Sequence, residues 1–241
     1  VDVCINLVGI LYEKGEYKFE KLHFRFPELI TKIVKDKNKI KQFIHFSSLG
    51  VKDGTDSEYL QTKFRAENHI KNSLQNYVII KPSVVFGPDD NFFNTFAKLA
   101  RIFPILPIVG CEVKFQPCYV GDIGDAINYI VETETLAKTY ELAGPKKYTL
   151  YELIKFMLKE IRRKNVVIPL PFGIGKFQAF FMQLAPKPIL TIDQIKILES
   201  GDNIITGENN TFFDLNILPR SVESIVPTYL KYHRPAGQFT K

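Results

Sequence analysis

The chain has 241 residues, of which 45% are hydrophobic and 24% charged, the proportions of an ordinary globular protein that can bury a sizeable core. Its net charge is a modest +6, and its densest basic run, Lys32–Lys41, is typical of a solvated helix end, so we expect no nucleic-acid binding. Three cysteines without CxxC spacing and four histidines without ligand spacing predict reduced thiols, a cytoplasmic location and no metal site. No apolar run is long enough for a transmembrane helix, and we find no signal peptide.

The first predicted strand is Val3–Leu7. Between Tyr12 and Lys39, apolar residues at near-helical spacing predict one crossover helix that begins or kinks at Pro27.

Two short apolar runs, Gln42–Phe46 and Tyr77–Lys81, predict neighbouring buried strands of a parallel sheet. The first brings Ser47 and Ser48 to its carboxyl end, and the second ends at Pro82. An open α/β sheet binds its ligand in the crevice at the carboxyl ends of its strands, so we expect the functional side chains there.

A predicted helix begins near Ser57 and carries Tyr59 and Lys63 on one face, one turn apart. A nearby ammonium group favours the phenolate, so we expect Lys63 to lower the pKa of Tyr59 from its usual value of about 10. The Ser48 hydroxyl can orient a substrate carbonyl or hydroxyl, and the lysine can also reach the ribose of a nucleotide. We therefore predict Ser48, Tyr59 and Lys63 as catalytic residues.

The second half of the chain predicts further helices, short strands and loops. The predicted helices are Asn91–Arg101, Ile123–Val131 with Asp122 as its cap, Leu150–Arg163 with Thr149 as its cap, Thr191–Glu199 and Ser221–Leu230. Strands are predicted at Lys114–Val120 and Thr139–Leu142, an apolar loop at Phe103–Gly110, and a mobile polar loop at Gly201–Asn210.

The segment Val166–Leu190 is unusually apolar but is interrupted by prolines. Its predicted helical core, Gly175–Leu184, is either an interior helix or an exposed patch that docks on a partner or a membrane. Exposure of Phe180 and Phe181 would favour docking.

Motifs from both halves of the chain resemble the short-chain dehydrogenase/reductase superfamily, in its extended and atypical branches. They are Asn6–Gly9, Ser47-Ser48, Tyr59-x-x-x-Lys63, Lys81–Pro88, Gln116–Ile123 and Tyr140–Pro145. Together with Pro227–Leu230 and Arg234–Phe239, they make nearly the whole chain resemble bacterial relatives of the NAD(P)-binding accessory subunit of respiratory complex I (NADH:ubiquinone oxidoreductase).

The resemblance implies an α/β fold: a Rossmann-like, doubly wound parallel sheet over residues 1–145, N-terminally truncated, and a small, mostly helical subdomain over residues 146–241. Parts of residues 88–120 would contribute to the substrate side. NADP or NAD would contact Leu7, Val8, Gly9, Ser47, Tyr59, Lys63, Pro82, Ser83 and Val84. The implied substrate-side residues are Gln116 and Tyr119, with core packing as the favoured alternative for Tyr119. Phe92, at the start of the predicted helix Asn91–Arg101, is either a core residue or a substrate-side lid residue.

The family's glycine-rich turn, G-x-x-G-x-x-G, does not occur in the sequence, and Gly173-Ile174-Gly175 follows a proline-rich segment and not a strand. We expect roughly 70–80 residues, three strand–helix units, to be missing before Val1. The chain alone should then bind NAD(P) weakly or not at all, because the pyrophosphate site is lost. Its exposed first strand should favour self-association.

Three functions follow as alternatives. The first is an accessory subunit that partners complex I, with a structural nucleotide, in the cytoplasm or at the cytoplasmic face of the inner membrane. The second is an NAD(P)-dependent epimerase, dehydratase or reductase acting on a nucleotide sugar or another carbonyl compound. The third is a truncated remnant without nucleotide function. The sequence does not distinguish NAD from NADP, because the residue that reads the ribose phosphate follows the second strand of the full fold.

Overall fold

The computed structural model describes residues 2–36, 40–235 and 237, so the Lys32–Lys41 run and the Arg234–Phe239 motif lie partly outside the described residues. The strands are β1 (Val3–Asn6), β2 (Gln42–Phe46), β3 (Tyr77–Pro82), β4 (Val85–Phe86), β5 (Ile105–Val109), β6 (Lys114–Phe115), β7 (Cys118–Tyr119), β8 (Lys138–Leu142), β9 (Tyr148–Thr149) and β10 (Val166–Leu170). The helices are α1 (Phe26–Asp36), α2 (Glu58–Ser73), α3 (Phe93–Ile102), α4 (Val120–Glu132), α5 (Leu150–Glu160), α6 (Phe172–Met182), α7 (Ile192–Glu199) and α8 (Val222–Leu230). A π-helical turn, Glu20–Arg25, precedes α1, and 3-10 turns cover Phe212–Leu215 and Lys231–His233.

Four strands form the central sheet in the order β1-β2-β3-β8, and every neighbouring pair is parallel. Because alternate side chains of a strand face opposite sides, Phe43 and Ile79 pack towards α1 and α2, whereas Ile44 and Ile80 pack against α4. Both faces of the sheet are covered, which explains why its strands are continuous apolar runs. This arrangement confirms the predicted α/β class with a Rossmann-like parallel sheet.

Strand β1 is an edge strand in the part of the chain that the structure describes, since it pairs with β2 alone. Ile5 within it is 41% exposed, and Leu7 just beyond it is 67% exposed. The buried Asn6 side chain donates from Nδ2 to Nδ1 of His45, its register partner on β2, over 3.0 Å. Burial lowers the pKa of His45 to about 3, so the imidazole that accepts this bond is neutral.

A second hydrophobic core joins α3, α5 and α8 to strand β5. Phe93, Met157 and Val226 are fully buried in it. The predicted start of α5 is confirmed, because the Thr149 hydroxyl accepts from the Glu152 N–H and the Glu152 carboxylate accepts from the Thr149 N–H. Among the described residues, no helix has both the length and the apolar character needed to cross a membrane.

The predicted loop over Phe103–Gly110 is wrong. Ile105–Val109 is strand β5, which runs parallel to β10 with Ile105 opposite Val166. Local sequence does not reveal this pairing, because the partner lies far along the chain. Pro107 and Pro169 are tolerated in this two-stranded ribbon, since each strand has an edge that needs no ladder hydrogen bond.

The predicted strand over Lys114–Val120 and the predicted Asp122 cap are also wrong. Two short strands, β6 and β7, are separated by Gln116 and Pro117, and α4 already begins at Val120. Asp122 therefore lies in the first turn of α4, where its buried carboxylate accepts from the backbone N–H of Arg220 at 2.7 Å. Asp122 therefore joins α4 to the segment before α8 and does not cap the helix.

Gly144 follows β8 at a buried position where a side chain does not fit, because a Cβ there would clash with the backbone carbonyl oxygen of Pro117. We expect Gly144→Ala to lower the free energy of unfolding by about 1–3 kcal/mol, the usual cost of overpacking, as measured by urea unfolding. The matched control is Gly124→Ala at an exposed position of α4, where a Cβ meets nothing within 4 Å. The control should raise the same free energy by about 0.5–1 kcal/mol. Equal changes in the free energy of unfolding for the two substitutions would contradict the close approach of Gly144 to the Pro117 carbonyl oxygen.

Candidate functional site

Tyr59 and Lys63 meet at the carboxyl ends of the parallel strands. They lie on one face of α2, and both are buried, with 9% and 5% of their surface exposed. The Lys63 Nζ is 5.5 Å from the centroid of the Tyr59 ring and donates to the Phe46 carbonyl oxygen at 3.1 Å. The Ser48 hydroxyl lies beside the phenol and donates to the Leu49 carbonyl oxygen at 3.1 Å. The three side chains predicted to act together are therefore in contact.

Burial is the main cause of the pKa shifts of Tyr59 and Lys63. It raises the pKa of Tyr59 to about 12, although the neighbouring Ser48 hydroxyl acts in the opposite direction. It also lowers the pKa of Lys63 to about 8. The expectation that Lys63 lowers the pKa of Tyr59 is wrong for this structure, because removal of water disfavours the phenolate more than the nearby amine favours it.

An aromatic cover lies against the Tyr59 ring. Phe19 and His23 contact the ring edge-on, with centroid distances of 5.8 and 5.1 Å. The His23 Nε2 accepts from the Ile10 N–H at 3.0 Å, so the ring proton resides on Nδ1, which faces the Thr62 hydroxyl at 3.4 Å. Burial lowers the pKa of His23 to about 3, so the ring is neutral. Sequence reasoning missed this cover, because a π-helical turn leaves no clear periodicity.

A buried ion pair lies one turn beyond Lys63 on α2. The Lys81 Nζ, from β3, donates to the Glu67 carboxylate and to the Val51 carbonyl oxygen, both at 3.3 Å. The other oxygen of the Glu67 carboxylate accepts from the Ser47 hydroxyl. Ser47 was expected to contact the cofactor, but in this structure its hydroxyl ties α2 to the end of β2.

The amino end of α2 is held by Asp193 of α7. Its carboxylate accepts from the Ser57 hydroxyl and the Glu58 N–H, both at 2.8 Å, and from the Tyr59 N–H at 3.3 Å. A carboxylate is favourable at this end of a helix, where N–H groups lack partners and the helix dipole is positive. The C-terminal helices therefore help to position Tyr59, which local sequence does not reveal.

Asn203 occupies the carboxyl end of β3. Its Oδ1 accepts from the Ser83 hydroxyl at 2.7 Å and from the Val84 N–H at 3.2 Å, and its Nδ2 donates to the Leu49 carbonyl oxygen at 3.0 Å. The predicted mobile loop Gly201–Asn210 is therefore tied to the sheet. Ser83 and Val84, which were expected to bind the cofactor, have these polar groups engaged within the protein.

Pro82 is also engaged within the protein, since its carbonyl oxygen accepts from the Leu49 N–H at 2.9 Å. Leu49 therefore links the loop after β2 to the end of β3, at a position where we expected a cofactor contact.

The three predicted substrate-side residues make internal contacts. Gln116 is buried and donates from Nε2 to the Gly144 carbonyl oxygen at 2.7 Å. Phe92 packs edge-on against Phe93 at 5.0 Å, and Tyr119 packs against the core of α3, α5 and α8. In this structure all three take part in packing and loop attachment.

The loop after β1 runs beside Lys63. Leu7, Val8 and Gly9 are exposed, and a Cβ on Gly9 would lie 3.9 Å from the Lys63 Nζ. An ammonium has three donors, and the hydrogen bonds found among the described residues use one of them, for Phe46. These features fit the hydroxyl groups of a ribose. They do not supply a glycine-rich pyrophosphate turn, and no group of acidic, histidine or cysteine side chains among the described residues could hold a metal ion.

Known proteins resemble the chain over most of its length. The mitochondrial NADH dehydrogenase [ubiquinone] 1 alpha subcomplex subunit 9 of Arabidopsis thaliana is 30% identical over 98% of this chain and 61% of its own length. The mitochondrial NADH-ubiquinone oxidoreductase 40 kDa subunit of Neurospora crassa is 32% identical over 97% of this chain and 61% of its own length. The chain thus spans about three fifths of the length of these curated relatives.

Solved structures share the fold at low sequence identity. A nucleoside-diphosphate-sugar epimerase from Staphylococcus aureus has a TM-score of 0.72 at 15% identity, over 92% of this chain and 75% of that one. A dTDP-glucose 4,6-dehydratase from Streptomyces venezuelae has a TM-score of 0.71 at 13% identity, over 99% of this chain and 75% of that one. Residues 29–180, more than half of the sequence, also match the family model described as the RmlD substrate binding domain. The chain therefore belongs to the RmlD substrate binding domain family and has the Rossmann-like fold of the short-chain dehydrogenase/reductase superfamily.

Proposed function

We propose that the protein is an NAD(P)-binding accessory subunit of a respiratory complex I, in which the nucleotide stabilises the fold and is not turned over. The observation that carries the structural role is the burial of Tyr59 beneath Phe19 and His23, with a pKa raised to about 12. The names of the Arabidopsis and Neurospora relatives, which describe NADH dehydrogenase subunits, support the choice of partner.

The same geometry suits binding better than catalysis. A general acid or base works best when its pKa is near the ambient pH, whereas the Tyr59 phenol stays protonated far above neutrality. Ser48 also donates to the Leu49 carbonyl oxygen, so its proton is already engaged. Bound NAD or NADP supplies hydride chemistry in enzymes; here we assign Lys63 to the ribose hydroxyls and the exposed Leu7–Gly9 backbone to the neighbouring part of the nucleotide.

An active enzyme is the second candidate, because the Ser48, Tyr59 and Lys63 side chains are in contact. It would be an NAD(P)-dependent epimerase, dehydratase or reductase acting on a nucleotide sugar or another carbonyl compound, the chemistry named for the dehydratase and epimerase neighbours. The third candidate, a remnant without nucleotide function, predicts that no form of the protein binds NAD(P).

We further infer that the 241-residue chain by itself binds NAD(P) weakly. Its sequence has no G-x-x-G-x-x-G turn to hold the pyrophosphate, so Lys63 and the loop after β1 provide one part of a site. The edge of β1 that pairs with no strand among the described residues, with Ile5 and Leu7 exposed, favours pairing with a further strand or a second copy of the chain. We place the protein on the cytoplasmic side, peripheral to the inner membrane.

Native electrophoresis of detergent extracts tests the proposed partner. The tagged full-length protein should migrate with NADH dehydrogenase activity at the mass of complex I. A protein that migrates alone, in extracts whose complex I is intact, contradicts the proposal. NADPH oxidation that requires an added carbonyl compound and is abolished by Tyr59→Phe would instead establish the enzyme.

Calorimetric titration of the full-length protein tests the role of Lys63. We expect Lys63→Met to weaken binding of the preferred nucleotide, NADH or NADPH, about 10–100-fold, because it removes charge-assisted hydrogen bonds to ribose. Lys71→Met on the same helix is the matched control and should leave the affinity unchanged. Equal affinities of the two variants would contradict the assignment, and micromolar binding by the 241-residue chain would contradict the inferred weakness.

A further inference from the structure

Helix α6 packs on the protein through its small residues and exposes its large ones. Gly175 and Ala179, one turn apart, are buried, and Gly175 lies against Val109 of β5. The exposed side chains are Ile174 (54%), Phe177 (70%), Phe180 (52%) and Phe181 (55%), and Leu184, two residues after the helix, is 74% exposed. A surface helix of a globular protein ordinarily turns its large apolar side chains inwards, so this orientation is reversed.

The exposed aromatic rings form one patch. Phe181 contacts both Phe177 and Phe180, with ring centroids 5.2 and 5.4 Å apart. Contiguous apolar surface of this kind marks an interaction site, whereas single exposed apolar residues are common and need no explanation.

The β5–β10 ribbon adds a second apolar strip directly before α6. Ile105 and Val166 are opposite each other in register and are 48% and 56% exposed. Ile168, two residues after Val166 and therefore on the same face of β10, is 42% exposed. Pro171 alone separates the end of β10 from the first residue of α6.

The chain segment that contains β10 and α6 carries charge of a single sign. Residues 162–190 contain five basic side chains and no aspartate or glutamate. Lys176 pairs with Glu199 at 2.8 Å, while Lys164 and Lys187 form no salt bridge within residues 2–36, 40–235 and 237. Lys14 adds a further cation, since its Nζ donates to the Pro186 carbonyl oxygen at 2.9 Å. Lysine is depleted at protein–protein interfaces but complements anionic lipid headgroups, so these charges favour a lipid surface.

We propose that α6 and the β5–β10 ribbon dock the protein on an anionic phospholipid surface. Helix α6 has 11 residues. It is therefore about 16 Å long, too short to cross a hydrocarbon core of about 30 Å, and it lies in the plane of the interface. Phe177, Phe180 and Phe181 enter the headgroup–acyl boundary, and the neighbouring lysines contact the headgroups. The inference holds whether or not the protein binds complex I.

Vesicle co-sedimentation of the full-length protein tests the proposal. Wild type should bind vesicles of equal parts phosphatidylcholine and phosphatidylglycerol, less strongly at high salt and weakly to phosphatidylcholine alone. Combining Phe177→Ser, Phe180→Ser and Phe181→Ser should reduce binding at least about 10-fold, because the buried aromatic area is lost. Lys164→Gln with Lys187→Gln should reduce it about 10-fold and weaken its salt dependence. Phe213→Ser, at a 65% exposed position outside the patch, is the matched control and should change nothing.

The folding of each variant is checked by its urea unfolding transition, which should match that of wild type because the altered side chains are exposed. Absence of vesicle binding by wild type, or equal binding by the triple Phe variant, would overturn the proposal. A wild-type dimer that the triple variant converts to monomer, without vesicle binding, would identify a second copy as the occupant. Loss of co-migration with complex I in the triple variant, again without vesicle binding by wild type, would identify a protein partner.

Discussion

The site depends on one constraint: two carboxylates hold α2 against the carboxyl ends of the sheet. The half-buried Asp193 holds its amino end, and the buried Glu67 joins it to Ser47 and Lys81. Loss of either partner of the buried Glu67–Lys81 pair would leave an uncompensated buried charge, so this pair restricts the position of the helix. Water is thereby excluded from Tyr59 and Lys63. Because burial disfavours the charged form of each group, it raises the pKa of Tyr59 and lowers the pKa of Lys63.

Because of this constraint, Ser48, Tyr59 and Lys63 are in contact although the Tyr59 phenol is not poised to transfer a proton at neutral pH. Ser48, Tyr59 and Lys63 make the contacts of a proton-transfer group, yet the covered phenol holds its proton far above neutral pH. The described residues use one of the three donors of the Lys63 ammonium, which lies beside an exposed loop. The protein therefore combines a Rossmann-like fold with a covered phenol, and its exposed apolar surface lies on separate elements, α6 and the β5–β10 ribbon.

Periodicity and strand-end position were sufficient for the parallel sheet, for α2 with Tyr59 and Lys63 on one face, and for the Thr149 cap, because each depends on residues close in sequence. They failed where a distant segment decides the structure. Strand β5 pairs with β10, which lies about sixty residues further along the chain, and the Asp122 carboxylate accepts from the distant Arg220 N–H instead of capping α4. Asn203 accepts hydrogen bonds from the Ser83 hydroxyl and the Val84 N–H. The π-helical turn that contains His23 packs on the Tyr59 ring. The reversal of the expected pKa shift has the same origin, because burial is a property of the whole fold.

The most direct test of this account is the ionisation of Tyr59. An ultraviolet difference titration compares phenolate absorbance in wild type and in Tyr59→Phe, so that the other tyrosines cancel. The account predicts no phenolate signal from Tyr59 below about pH 10, the usual pKa of a tyrosine in water. A Tyr59 signal that develops near neutral pH would contradict it and would show that Lys63 activates the phenol for catalysis.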